Sequence, residues 1–184
     1  MTWILTHTGI KFDLLAPTPA MIDQRDIAHA LSNLCRFNGH THTHYSVAEH
    51  SIRVAQIVPV QFQLAALLHD ATEAYVGDMV RPLKQVMPDF RKVEKRIWQA
   101  ICERFDMPEI LHTSVHAADM TLLATERRDL MPDHPGQWHC LQGITPLKAR
   151  IVPCNAVTAE VQFLTLLMEL LASTHRAKVQ GGAA

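Results

Sequence analysis

The sequence predicts an all-α fold, a compact helical bundle in one domain over residues 1–184. Three observations carry this. Apolar residues recur at helical spacing in six separate stretches, no alternating run of strand type lasts more than a few positions, and no internal repeat is visible. The 184 residues are 48% hydrophobic, and a chain of this size buries roughly 70% of its unfolded surface. Neither disulfide nor metal is needed merely to form the core.

Residues 1–22 read as an irregular lead-in, because Pro17 and Pro19 oppose a helix. From Asp23 to Leu34 a helix is expected, with Ile27, Ala30, Leu31 and Leu34 on one face. A polar loop around Gly39 follows. Ser46 and Glu49 have the spacing of a capping box, which starts a helix that Pro59 ends. Gln61 to Tyr75 reads as one strong helix. A short segment around Val80–Met87 precedes a helix near Phe90–Phe105 and another over Pro108–Leu130. Residues 131–157, rich in Pro and Gly, read as irregular. The last helix is expected over Thr158–Ala172. The helical core thus spans about 23–173, and 174–184 is expected to be a flexible tail.

Lys and Arg total 17 against 18 Asp and Glu, a net charge of −1. That balance argues against a general nucleic-acid binder, which needs a basic excess. Cys35, Cys102, Cys140 and Cys154 form no CxxC pair, so zinc-ribbon and thioredoxin-type readings lack support, and Cys35 and Cys102 read as buried free thiols. The N-terminus lacks the pattern of a signal peptide. No run approaches the ~18 apolar residues of a membrane span, so a cytoplasmic address without a membrane partner is expected.

The chemistry concentrates in a few residues. His69-Asp70 closes an apolar run, and Glu73 lies four positions after His69 on the same expected helix face. A carboxylate at the end of such a run needs a partner or a cation. His50 shares an inward face with Val47 and Val54. Asp119 stands on a stripe with Val115, Leu122 and Leu123, where a carboxylate is rarely left without a cation. Bundles build metal sites from such side chains on facing helices. The mixture of imidazole and carboxylate suits Co, Mn, Zn, Fe or Ni better than Ca. His40, His42 and His44 alternate in a loop and read as solvent-exposed. His112 and His116 lie near the expected site, and Tyr75 suits core or substrate contact equally.

The order His50, His69-Asp70, Asp119 resembles the signature of the HD-domain metal-dependent phosphohydrolases. The segments 35–41, 45–51 and 67–78 are similar to the 5′-deoxynucleotidase branch and to the phage dATP triphosphohydrolases related to it. With Val80 to Lys84 and the Asp119 helix, the resemblance covers roughly residues 20–130. It implies one divalent metal held by His50, His69, Asp70 and Asp119. It assigns Glu73 to the attacking water and Asp78 to proton handling, and it places Arg36, Phe37 and Lys84 against the substrate. Phe37 stands where relatives often have Trp, and Arg81-Pro82 where some have Thr-Pro, which bears on substrate preference.

The implied reaction is hydrolysis of a deoxynucleotide phosphoester. A dNTP triphosphohydrolase would release deoxynucleoside and triphosphate, with Mg accompanying the substrate phosphates. A 5′-deoxynucleotidase acting on dNMPs is the alternative, and a non-catalytic metal-binding regulatory module is a third reading. The resemblance also implies a homo-oligomer, dimer or hexamer, with a small-molecule rather than nucleic-acid partner.

Overall fold

A computed structural model describes residues 1–181, with side chains described through Arg176. Eight α-helices form the architecture among these residues: α1 Gln24–Asn33, α2 Val47–Ile57, α3 Gln63–Leu67, α4 Glu73–Val76, α5 Arg81–Gln85, α6 Pro88–Phe105, α7 Thr113–Leu130 and α8 Ala156–Gly181. The all-α expectation holds, with one local exception. The expected irregular start contains an antiparallel hairpin, β1 Trp3–Leu5 and β2 Lys11–Asp13, with Ile4 opposite Phe12. It is held by tertiary contacts that three-residue strands do not advertise in sequence. Phe12 is fully buried and stacks on Tyr75 with ring centroids 3.9 Å apart. Asp26 of α1 accepts hydrogen bonds from the Thr8 backbone N–H (2.7 Å) and hydroxyl (2.8 Å).

Asp23 caps α1 by accepting from the Arg25 amide at 2.8 Å. At α2 the Ser46 hydroxyl accepts from the Glu49 N–H at 3.1 Å. The expected return bond of a capping box is replaced: Glu49 accepts instead from Arg53 (2.6 Å) and from the Cys154 amide (3.0 Å), tying α2 to the segment before α8.

The single helix expected over Gln61–Tyr75 is divided. After a 3-10 turn at Val60–Phe62, α3 ends at Leu67, and i to i+3 hydrogen bonds run from Leu68 to Ala71 and from Asp70 to Glu73 before α4. His69 Nδ1 bonds the Ala66 carbonyl at 2.7 Å, so a side chain takes the acceptor that the next helical amide would use.

The helix expected from Pro108 begins only at Thr113, because His112 is its N-cap and accepts from the Ser114 amide at 3.2 Å. The expected end of the last helix near Ala172, with a tail from 174, also differs. The helix continues to Gly181, and residues 182–184 lie outside the described residues.

In α8, Ala159, Phe163, Leu167 and Leu170 pack inward while Val157, Val161 and Met168 face outward. Its stretch Ala156–Arg176 is long and apolar enough to cross a membrane by length and composition. This corrects the expectation that no stretch approaches a span, although its inward face forms part of the bundle core.

Candidate metal centre

Three elements supply the centre: α2 carries His50, the tight turn after α3 carries His69 and Asp70, and α7 carries Asp119. One potential ligand atom each from His50, His69 and Asp119 lies within 4.8 Å of the others. Imidazole and carboxylate donors gathered this closely could hold one metal ion. Asp70 joins it, with Oδ2 3.2 Å from His69 Nε2 and 3.6 Å from His50 Nε2. Asp119 Oδ1 is 3.3 Å from His50 Nε2. All four expected ligands therefore converge.

The ring tautomers follow from what each imidazole touches. His69 Nδ1 faces the Ala66 carbonyl, which can only accept, so Nδ1 donates there and Nε2 is the ring atom turned to the cluster. His50 Nδ1 lies 2.6 Å from Glu126 Oε1. Arg36 and His50 hold Glu126 below the usual carboxylate range against the effect of burial, which makes it the acceptor there as well. Both Nε2 atoms are buried without a hydrogen-bond partner among the described residues. Two buried ring nitrogens without a partner, beside two acids, are costly alone and suited to a cation.

Electrostatics agree with the geometry. Burial would raise the pKa of Asp70, but His69, His50 and Arg36 hold it far below normal. Burial is likewise outweighed at Asp119 by His50 and His69. For His50, burial and Arg36 oppose positive charge, yet Glu126 and Asp119 move its pKa up to about 9. A metal ion among these acids would supply the positive charge otherwise brought by that proton.

Glu73 is 7% exposed, and its Oε2 has no hydrogen-bond partner among the described residues. Burial, then Asp70 and Asp78, push its pKa well above the ordinary glutamate value. Asp78 is raised too, by burial and by Asp70 against Arg36, His50 and Lys84. Arg36 lies 3.4 Å from both Asp70 and Glu126; despite burial, Glu126 and Asp70 keep its guanidinium charged.

Phe37 adopts left-handed backbone angles (φ 54°), with the Arg36 guanidinium 5.5 Å from its ring and Trp138 6.0 Å away. Lys84 pairs with Glu94 on the wall of a cleft of about 310 Å³ that also includes His69 and Asp70.

Other candidates resolve differently. Tyr75 is buried against Phe12 and belongs to the core. His40, His42 and His44 are exposed, although His44 Nδ1 lies 3.2 Å from Cys35 Sγ. His112 caps α7 and stacks on Phe62 at 3.9 Å, and His116 is exposed. Cys102 is buried as expected, whereas Cys35 is only partly so. Sequence reasoning missed Glu126. Its signal is modest: it follows Asp119 by seven positions, two turns along the same face of α7.

Fold and site together define a helical protein with a partly buried His/Asp cluster that could hold a cation. No family model matches the chain. It is 44% identical over 146 residues to YfdR of Escherichia coli (strain K12), described as an uncharacterized protein, covering 78% of this chain and 81% of that one. It is 37% identical over 126 residues to the uncharacterized protein RCAP_rcc00048 of Rhodobacter capsulatus, covering 63% and 64%. The chain belongs to the family of YfdR.

Proposed function

We propose that the chain is a metal-dependent phosphohydrolase of the HD-domain type. Its proposed reaction is hydrolysis of deoxynucleoside triphosphates to deoxynucleoside and triphosphate. The observation that carries this is the convergence of the buried, unpartnered Nε2 atoms of His50 and His69 on Asp119 and Asp70. The mixed donors favour a divalent transition ion such as Co, Mn, Zn, Fe or Ni. Such an ion, when bound, supplies Lewis acidity and lowers the pKa of water toward neutrality.

The chain's own residues supply the rest. Glu73, buried beside this cluster, exchanges a proton with the attacking water, and its raised pKa suits that task. Asp78 receives or relays the proton. Arg36 offers positive charge beside Asp70 to a phosphoryl oxygen, and Phe37 lies against the nucleoside. Lys84, held by Glu94, contributes a point charge at the edge of the cleft. The functional unit is proposed to be a homo-oligomer, which light scattering of the purified chain tests directly.

The defining experiment incubates the pure protein with each dNTP and dNMP in Co, Mn, Zn or Mg and identifies products. Release of inorganic triphosphate is expected. Orthophosphate from dNMPs alone would make the chain a 5′-deoxynucleotidase. Hydrolysis of neither class by metal-loaded protein would overturn the enzyme reading and leave a metal-binding module.

A further inference from the structure

The cleft beside His69 and Asp70 continues along α6, where Arg91 and Lys95 line the wall together with Lys84, Glu94 and Trp98. Arg91 and Lys95 are four residues apart on one helix face, about 6 Å along its axis. Lys84 has a partner in Glu94. Neither Arg91 nor Lys95 has a side-chain ion pair among the described residues, although Asp89 on the same helix holds Lys92 at 2.8 Å. The cleft lining carries three cations, Lys84, Arg91 and Lys95, against two acids, Asp70 of the centre and Glu94, a basic excess in a chain of net charge −1. His69 and Asp70 of the candidate centre line the same cleft. An orthophosphate at that centre would leave the far cations unanswered, whereas a linear polyphosphate extends along them.

We infer that Arg91 and Lys95 form a binding subsite for the distal phosphates of a triphosphate whose first phosphorus lies at the His69–Asp70 end of the cleft. This rests on the reading of the centre as a phosphohydrolase site and adds the element that selects chain length. Arg91 offers a fork to nonbridging oxygens and Lys95 a mobile point charge. Glu94, between them in sequence, holds Lys84 until an anion competes for it.

Calorimetric titration with inorganic tripolyphosphate and orthophosphate tests the subsite independently of turnover. The full metal-loaded chain should bind tripolyphosphate at least tenfold more tightly than orthophosphate. Arg91→Gln/Lys95→Gln should lose that preference while keeping its circular dichroism spectrum and metal content. Should the double variant unfold, the single variants Arg91→Gln and Lys95→Gln are read in the same way. Retention of the full preference overturns the inference, as does equal binding of the two anions by the unaltered protein. Kinetics separate the two levels. A raised KM for dNTPs in the double variant, with kcat little changed, supports the subsite. Unchanged KM with active enzyme refutes the subsite and leaves the hydrolase reading standing. Absence of hydrolysis in the unaltered protein refutes that reading while the anion titration still decides the subsite.

Discussion

His50 and His69 each commit Nδ1 to the protein, one to the Glu126 carboxylate and one to the Ala66 carbonyl, and keep Nε2 for the centre. Residues that orient a ligating imidazole tune affinity without touching the ion. Glu126→Gln is therefore expected to weaken metal binding about 10- to 100-fold, read by competition with a chromogenic chelator; unchanged affinity would remove Glu126 from the site. His69→Ala and Asp119→Ala should lose metal and activity together. Glu73→Gln should behave differently, retaining stoichiometric metal by elemental analysis while hydrolysis falls about 10²- to 10⁴-fold, the usual worth of a positioned acid–base group. Loss of metal in Glu73→Gln would instead mark it as a ligand.

At the scale of elements, the connections matter as much as the helices. Asp129 near the end of α7 accepts from Arg128, from Arg150 at 2.9 Å and from the Ile151 amide at 2.9 Å, so it fastens the 131–151 excursion to the bundle. The Arg128 hydrogen bond leads the effects that lower its pKa to about 2. That lies below the unfolded value near 3.9. Its stabilisation is complete above roughly pH 4 and is lost as pH falls toward 2. Asp129→Asn should lower the thermal midpoint at pH 7, and the gap from the unaltered protein should narrow at pH 3. A constant gap would deny the carboxylate this role. The N-terminal hairpin has an apolar anchor, and Phe12→Ala is expected to cost about 3–5 kcal/mol in chemical unfolding, since the ring is fully buried on Tyr75.

For the whole molecule, the centre links α2, the turn after α3 and α7, which are distant in sequence. A metal that binds only the folded chain stabilises it by mass action. Excess Co or Mn should raise the thermal midpoint, a chelator should reverse the gain, and His69→Ala should abolish it. A midpoint insensitive to metal would contradict a cation-holding centre.

The inward placing of the four candidate ligands and the helical bundle were legible in the sequence because each depends on local pattern. Val115 and Leu122 around Asp119, or Val47 and Val54 around His50, reveal which face of a helix turns inward. Periodicity also located most helices, but it read Gln61–Tyr75 as continuous because apolar spacing does not register a side chain competing for a backbone carbonyl.

What the sequence by itself determined was the helical character of the chain and the inward faces that carry His50 and Asp119. Only the tertiary structure decided how side chains pair: Glu126 with His50 across 76 residues, Asp26 with the hairpin, and Arg91 and Lys95 with the cleft at His69. The reason is physical. The inward face of a helix is set by residues a few positions apart, whereas partners across a core are set by how whole elements pack.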